Sequence, residues 1–434
     1  MLSSSSMKIL LVVHGWPLEK MGGVGLYVLS KAQKLQNLGH QVVVMAPQKG
    51  PINKIVYQQE SWGKAWIVES PSPKRWKEIW SKPKQRVVLE TAIGQWQPNV
   101  IHIHHLDGFD MDFSIARRTN ALLVITLHDY ALICSRGQLY SLEHGLCSGP
   151  TPEKCAACIS AHFRLNPISS WIGERLKRYP GFRSALRKKL DTSPPPRKGK
   201  YEIAKRLTQV RRLLHQMDVV LTPSIDLQRR FIEAGFIKAS HVDLPLLSKI
   251  TPLRSGRTSG ETRFLFASTI IPTKGLHILL KALSNLSTNR YRLSIAGHAP
   301  VFDGWPNYVE ECKSLVRECE QITWIGAVPH EQMPALLSEH DVLVLPSLWP
   351  ENSPIVVREA LAAGLKVICS INGGAKELSN SIITVDNGNV EDLEKVLLQL
   401  ITQKPSTVAE DFNTMQQHVQ KTIDLYRCKI AEKL

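Results

Sequence analysis

The 434-residue sequence predicts two α/β domains, each built on a parallel β-sheet. Three observations carry this. Short runs rich in Val, Ile and Leu alternate with helix-like stretches. The alternation breaks at "PLLSKITPLRSGRTSGE" (245–261), a stretch rich in Ser, Gly, Thr and Pro, and then restarts. At about 100–200 residues per domain, the length suits two or three domains.

The first domain opens with a buried strand at Lys8–Val13. A glycine loop, "MGGVG", follows with Gly22, Gly23 and Gly25. A helix over "LYVLSKAQKLQNLG" then stops at Gly39. "HQVVVMAP" is the second strand, with later strands at 100–105, 121–129 and 218–224. The second domain reads as a strand at "RFLFAST", a helix at "GLHILLKALSNL" and strands at "YRLSIAG", "ITWIG", "DVLVLPS" and "KVICS". Helices at "MPALLSEH" and "SPIVVREALAAG" fall among them. The expected boundaries are 1–245, with a basic Cys-containing insertion at about 134–216, a linker at 246–261, a second domain at 262–410 and a helical tail at 411–434. The tail is placed to pack back on the first domain. Two such sheets leave a cleft between their carboxyl ends, where ligands of parallel sheets bind.

Composition narrows the class. Apolar content is 43% and charged content 21%, as in ordinary globular chains. No apolar run is long enough to span a membrane, and the N-terminal stretch lacks the basic region and cleavage site of a signal peptide. The eight cysteines form no secreted-type framework, which favours a reducing cytoplasm. A net charge of +16 admits phosphate-bearing ligands, an anionic membrane face or nucleic acid as partners.

The stretch "PSLWPENSPIVVREALAAG" (346–364) carries Glu351 and Glu359 with seven residues between them. Ser353 is placed to cap a helix with Pro354 at its first position, and Gly364 ends it. The free N–H groups and positive dipole end of that helix suit a diphosphate. A carboxylate on either side suits hydroxyls, one set from a ribose and one from a sugar.

The sequence resembles the family 4 glycosyltransferases of the GT-B fold, whose two Rossmann-like domains face each other across a cleft. The resemblance rests on "MGGVGLYV", "TLHDY", "PTKGLHILLKAL", "LSIAG", "ITWIGAV" and the E-x7-E stretch "WPENSPIVVREALAAG", in that order. It implies a retaining transfer of a sugar from a nucleotide-diphosphate sugar to a hydroxyl of a glycan or lipid-linked acceptor. Glu359 would bind the ribose and Glu351 the donor sugar, with backbone N–H groups around Asn352 and Ser353 nearby. Lys274 would neutralise the departing diphosphate in place of a metal. His128 would stand near the reacting centre, Gly22 and Gly23 would allow close backbone approach, and Gly326 to Val328 would line the base. Thr269 stands where the family's phosphate-binding arginine would be, with Arg263 or a basic residue of the first domain as the expected substitute. His298 replaces a small residue in "AGHAP". A nucleotide-sugar epimerase of the same fold and a catalytically weak nucleotide-sugar-binding protein are the rival readings. A nucleic-acid partner is disfavoured, since only the net charge supports it.

Other features have plainer explanations. "GGVG" is not a complete G-x-G-x-x-G fingerprint. The histidines of "HIHH" (102–105) are expected on opposite faces of one strand, which argues for structure rather than metal. "DMD" (110–112) is expected to cap a helix before "FSIARR". Cys134, Cys147, Cys155 and Cys158 have the ligand count of a structural zinc site, with reduced structural thiols as the alternative. The stretch at 62–80, with Trp62, Trp66, Trp76 and Trp80, and the basic segment bearing Trp171, Tyr179 and Phe182 suit peripheral contact with a membrane surface.

Overall fold

The computed structural model describes residues 6–18, 22–72, 80–112, 119–141, 145–163, 197–236, 239–251, 260–300, 302, 307–316, 319–403 and 408–433. Trp76, the basic aromatic segment at 164–196 and the "FSIARR" stretch at 113–118 lie outside these residues.

The first sheet contains strands β1 (Lys8–Val12), β2 (Gln41–Lys49), β3 (Lys54–Glu60), β4 (Gly63–Ser70), β5 (Val100–Ile103), β6 (Leu122–Thr126), β9 (Val219–Thr222) and β10 (Ser240–His241). Their order across the sheet is β10-β9-β6-β5-β1-β2-β4-β3, and only β3 runs antiparallel, against β4. A separate two-stranded ribbon joins β7 (Tyr140–Ser141) to β8 (Gly145–Leu146). The second sheet is parallel throughout: β11 (Thr262–Ala267), β12 (Tyr291–Ala296), β13 (Ile322–Gly326), β14 (Val342–Leu345), β15 (Lys366–Ser370) and β16 (Ile383–Val385), in the order β13-β12-β11-β14-β15-β16.

Strand periodicity sorts the side chains of each sheet into two cores. In β1, Leu10 and Val12 face one core while Ile9 and Leu11 face the other. In β11, Phe264 and Phe266 separate in the same way from Leu265 and Ala267. Helices cover both faces, which is why these strands read as continuous apolar runs.

Two expectations are corrected here. The glycines Gly22, Gly23 and Gly25 are not a loop ahead of the first helix but form its first turn, since that helix spans Gly22–Asn37. The stretch at 62–80, expected to face a membrane, instead opens with β4, the second strand of a hairpin with β3. Trp62, Trp66 and Trp80 are buried, and Trp66 packs edge-on against Tyr57 and Trp96. These rings fill cores and have no surface to offer a lipid. Among the described residues, no helix is long and apolar enough to cross a membrane.

The chain crosses between the two halves twice at one place. Leu246 bridges Thr414 in parallel, with its N–H donating to the carbonyl of Asn413 at 2.9 Å. The last helix, Met415–Lys433, then lies on the first half, where Val419, Ile423 and Tyr426 join the core built on Ile9 and Leu11. Polar contacts fix its position. Tyr426 Oη meets His102 Nδ1 at 2.5 Å, Tyr27 Oη meets His418 Nε2 at 2.7 Å, and Lys433 Nζ donates to the carbonyl of Ala121 at 2.9 Å.

Lys31 is buried at the centre of this network. Its ammonium nitrogen lies 3.3 Å from Tyr27 Oη and 3.2 Å from His102 Nδ1. Burial pushes the Lys31 amine down to about 7. The folded chain therefore releases this proton at a pH where the unfolded chain still holds it, and the stability attached to Lys31 increases as pH rises above 7. Urea unfolding of wild type and Lys31→Met should show the difference moving in the wild type's favour between pH 7 and pH 8.5, by up to about 1.4 kcal/mol per unit. A pH-independent difference would show that Lys31 is neutral or charged alike in both states.

Candidate active site

The carboxyl ends of the two sheets face each other, and the residues singled out from the sequence gather there. β14 ends at Leu345, and the following loop turns back to present Glu351, which is 6% exposed. Glycines fix this loop. A Cβ on Gly373, at a φ of +99°, would lie 2.2 Å from the carbonyl oxygen of Glu351. A Cβ on Gly275, at +75°, would lie 2.0 Å from that of Pro346. Both positions demand glycine twice over, by left-handed backbone and by space. Gly275 follows the short turn Pro272–Lys274, so the same close approach aims Lys274 at the loop.

Three donors converge on a single oxygen of Glu351. Lys274 Nζ and Ser347 Oγ each lie 2.6 Å from Oε1, and Trp349 Nε1 lies 2.9 Å from it. The Lys274 ammonium also sits 4.9 Å from the Trp349 ring centre. Oε2 is left to accept from a ligand, since none of the described residues donates to it.

The helix after the loop spans Ile355–Ala363 and ends at Gly364, at a φ of +87°. Its start differs from expectation by one residue. Pro354, in extended backbone, occupies the cap and provides no side-chain hydrogen bond. Ser353 instead receives the guanidinium of Arg358 on its hydroxyl. No side chain of the loop caps the helix; the Val357 N–H turns to the Pro354 carbonyl at 3.2 Å, and the amides of Ile355 and Val356 remain available to an anion. Burial pushes Arg358 down to about 10, a consequence of its seat inside this turn.

Glu359 is 1% exposed and meets His330 Nε2 at 2.8 Å through Oε1. Gly326 and Val328 lie on the segment leading to His330, and Gly326, at a φ of +84°, accepts a hydrogen bond from the Gly297 N–H at 2.7 Å. His298 is exposed beside it.

Across the cleft, His128 follows β6. Its Nε2 lies 3.0 Å from His104 Nδ1. Burial is the main cause that pushes His128 down to about 3, so the ring is neutral at pH 7. His102 and His104 stack with centroids 4.1 Å apart, while His105 turns to Asp129 at 2.9 Å. This corrects the expectation for "HIHH": residues two apart share a face, and only His105 points the other way.

The halves touch directly. Asn352, 4% exposed, donates through Nδ2 to the His128 carbonyl at 2.8 Å and accepts the Ser224 hydroxyl on Oδ1. Glu377 accepts the N–H groups of Ile225 and Asp226 at 2.6 and 2.8 Å, capping a helix of the opposite half. A Cβ on Gly23 would lie 2.8 Å from Ile355 Cδ1, so Gly23 serves the approach of the two halves. Gly22, at a φ of +65°, has open space where a Cβ would be.

One further expectation changes. Arg263 does not replace the arginine missing at Thr269. It sits at the opposite end of β11, about 20 Å away along the strand at 3.3 Å per residue, with its N–H on Asp341 and its guanidinium on the Glu339 carbonyl. The helix that "DMD" is expected to cap, over "FSIARR", lies outside the described residues. Asp110 is buried and accepts the N–H groups of Lys82 and Asp112, while Asp112 pairs with Arg86.

The four thiols of the insertion lie near one another. Burial, assisted by Cys134, Cys147 and Cys158, pushes Cys155 up to about 11. Among the described residues, no group of three or more His, Cys, Asp or Glu is arranged to hold a metal ion. Cys134, Cys147 and Cys155 pack against the core of the first half, and a metal enters no step below.

Sequence reasoning missed Ser347, Trp349, His330, Ser224 and Glu377. Only "INGG" (371–374) carried a local signal, the glycine pair that lets Gly373 and Gly374 close on Glu351 and Ser224.

His330 provides a direct check of this geometry. The hydrogen bond that His330 donates to Glu359 is the largest cause raising it above the ordinary histidine value. Its contribution to stability is complete below the unfolded histidine value and is lost as pH rises through the raised folded value. The NMR titration of His330 should return toward the ordinary value in Glu359→Gln, and the corresponding slope of stability against pH should flatten.

Comparison with known proteins agrees with this architecture. A family model described as "Glycosyl transferase 4-like domain" matches residues 22–245, and one described as "Glycosyl transferases group 1" matches residues 252–417. The Mycobacterium tuberculosis protein named GDP-mannose-dependent alpha-(1-6)-phosphatidylinositol monomannoside mannosyltransferase is 29% identical over 154 residues, which cover 33% of this chain and 39% of that one. Spore coat protein SA of Bacillus subtilis is 32% identical over 123 residues, covering 27% of this chain and 33% of its own length. The curated relatives are thus matched over well under half of their length. Among solved structures, sucrose-phosphate synthase from Thermosynechococcus elongatus superposes with a TM-score of 0.62 at 13% identity, covering 98% of this chain and 97% of that one. Anabaena HepE in complex with UDP and glucose gives 0.61 at 16% identity, covering 98% of both chains. With one family model matched on each half and this fold, the chain belongs to the GT-B glycosyltransferases.

Proposed function

We propose that the protein is a retaining glycosyltransferase that moves a sugar from a nucleotide-diphosphate sugar to a hydroxyl of a glycan or lipid-linked acceptor. The observation that carries it is the arrangement around the helix Ile355–Ala363: a start uncapped by side chains, Glu351 on one side with Lys274, and Glu359 buried on the other. A diphosphate seated on the helix amides has Lys274 within reach of one side. Glu359 accepts from the ribose, with His330 holding its other contact. Oε2 of Glu351 accepts from the donor sugar. The name of the mycobacterial relative gives a GDP-mannose donor and a phosphatidylinositol monomannoside acceptor, and the Anabaena structure contains UDP and glucose. Both support the nucleotide-sugar class without fixing the base or sugar here.

In the reaction, the bond from the anomeric carbon to the phosphate oxygen breaks and its electron pair leaves with the nucleoside diphosphate. The acceptor oxygen bonds to the anomeric carbon on the same face, and its proton passes to the departing phosphate oxygen. Lys274 and the helix dipole stabilise the charge that develops on that oxygen, so that no metal is needed there. His128, neutral, offers a hydrogen bond near the reacting carbon rather than a charge. Contact with an anionic membrane face belongs to this reading through the +16 net charge and a lipid-linked acceptor.

One observation favours a weakly catalytic sugar-nucleotide binder instead. Thr269 replaces a cation at the phosphate, and Lys274 is already paired with Glu351. Donor hydrolysis or transfer above background would exclude that reading.

A thermal-shift screen against UDP-, GDP-, ADP- and TDP-sugars is the direct test. One nucleotide series should raise the melting temperature of the wild type by mass action, and Glu359→Ala should abolish the response. Lys274→Ala should lower kcat by on the order of 10²–10³-fold. A shift given only by polyanions, and unchanged in Glu359→Ala, would overturn the assignment.

A further inference from the structure

The proposed function calls on the His128 side chain, and the fold holds that ring through a second histidine. His104 follows β5 at the carboxyl edge of the first sheet, as His128 follows β6. Its Nδ1 lies 3.0 Å from His128 Nε2. Both rings line a cavity of about 500 Å³ that Phe302 reaches from the second half.

Neither ring turns freely. His104 is 2% exposed. It stacks on His102 and meets Tyr27 edge-on, with ring centres 4.1 and 5.4 Å away. His102 is itself held by Thr126 Oγ1 at 2.8 Å and Tyr426 Oη at 2.5 Å. The Tyr27 ring also lies 5.4 Å from that of His128, whose backbone carbonyl is held by Asn352.

Burial is the first cause that keeps both rings neutral at pH 7. A contact between two neutral imidazoles contains one proton, so one nitrogen donates and the other accepts. The direction follows from the far nitrogen of each ring. His104 Nε2 is buried and has no hydrogen-bond partner among the described residues. His128 Nδ1 has none among them either, but it is not sealed from the cavity. If His128 donated, the His104 proton would sit on Nε2 as a buried N–H without an acceptor. If His104 donates, its Nε2 is only a bare acceptor. Among buried backbone groups an orphaned N–H is rarer than an under-satisfied acceptor, and the same preference applies to ring nitrogens. His104 therefore carries its proton on Nδ1, His128 accepts on Nε2, and the His128 proton is driven to Nδ1.

We propose that His104 is a positioning residue for the sugar transfer: it donates to His128 Nε2 and thereby makes His128 present an Nδ1–H, a hydrogen-bond donor, to the donor sugar. His128 then meets an oxygen of that sugar with a proton rather than a lone pair. The opposite tautomer would accept from a hydroxyl instead, and would turn a basic lone pair toward a sugar whose anomeric carbon becomes electron-poor.

The sugar contact rests on the proposed function, whereas the tautomer does not, so the two fail separately. Full-length protein with ¹⁵N-labelled histidine reports the tautomer by NMR, through the couplings between ring nitrogens and carbon-bound protons, and His128→Gln identifies the His128 signals. In the wild type the His128 proton should be on Nδ1. His104→Phe keeps a ring in the stack and removes the donor. In this variant the His128 proton should shift toward Nε2, and kcat on the nucleotide-sugar found by the thermal-shift screen should fall by on the order of tenfold. The melting shift given by UDP or GDP, which lack the transferred sugar, should not change. His104→Asn, whose amide nitrogen takes the place of Nδ1, should restore the tautomer and most of kcat. A wild-type His128 with its proton on Nε2 overturns the inference, and this spectrum decides the matter if His104→Phe fails to fold. A His104→Phe protein that keeps the wild-type tautomer overturns it as well, whatever its kcat. A wild type with the expected tautomer that turns over no nucleotide-sugar overturns the proposed function and the sugar contact with it, while the tautomer stands.

Discussion

Asn352 is where the two halves of the molecule hold each other. Its amide nitrogen reaches the backbone of His128 and its oxygen takes the Ser224 hydroxyl, so one buried side chain satisfies groups on two elements of the opposite half. An unpaired amide at this depth would cost about 1–3 kcal/mol, which makes the contact all-or-none. With Glu377 on the opposing helix amides, it sets the approach of the two sheets. Glu351 precedes Asn352 in the chain, Glu359 lies one turn beyond the helix start, and the cavity beside His128 has a wall from each half.

The two sides of the cleft use opposite electrostatic strategies. The second half assembles charges: Lys274 against Glu351, Glu359 against His330, and Glu377 on the opposing helix amides. The first half suppresses them, apart from the His105–Asp129 pair. His14, His128 and His418 are all pushed down, primarily by burial, and Lys31 approaches neutrality. Under the proposed transfer, a charged leaving group would belong beside the former and neutral hydroxyls beside the latter. The division follows from burial and hydrogen-bond geometry without any ligand present.

The doubled parallel α/β architecture was legible because its strands are buried on both faces and its helices end at glycines such as Gly39 and Gly364. The E-x7-E stretch was legible because a loop, a helix start and two carboxylates fall within one short segment. The rest was hidden for specific reasons. His330 lies 29 residues before Glu359, and no local pattern announces the pair. Ser224 and Glu377 matter only across the cleft, at separations no periodicity reports. The tryptophans of 62–80 were misassigned because cationic neighbours mask a β-hairpin, in which Lys64 is exposed while Trp62 and Trp66 are buried. Arg263 was misassigned because sequence proximity to Thr269 hides that a strand separates its ends.

The helix Met415–Lys433 also bears on how the chain is made. It completes a core whose other members, such as Ile9, Val28 and Val44, emerge from the ribosome first. At about 5–20 residues per second, synthesis from Leu244 to Lys433 takes roughly 10–40 s. During that interval the groove beside His102 and Tyr27 has no cover, and Lys31 is open to water and protonated. The first half therefore reaches its final packing only after the second half has been made. It is a folding unit in space but not in time, and a truncated chain ending at the first sheet would expose an apolar groove with a charged lysine at its centre.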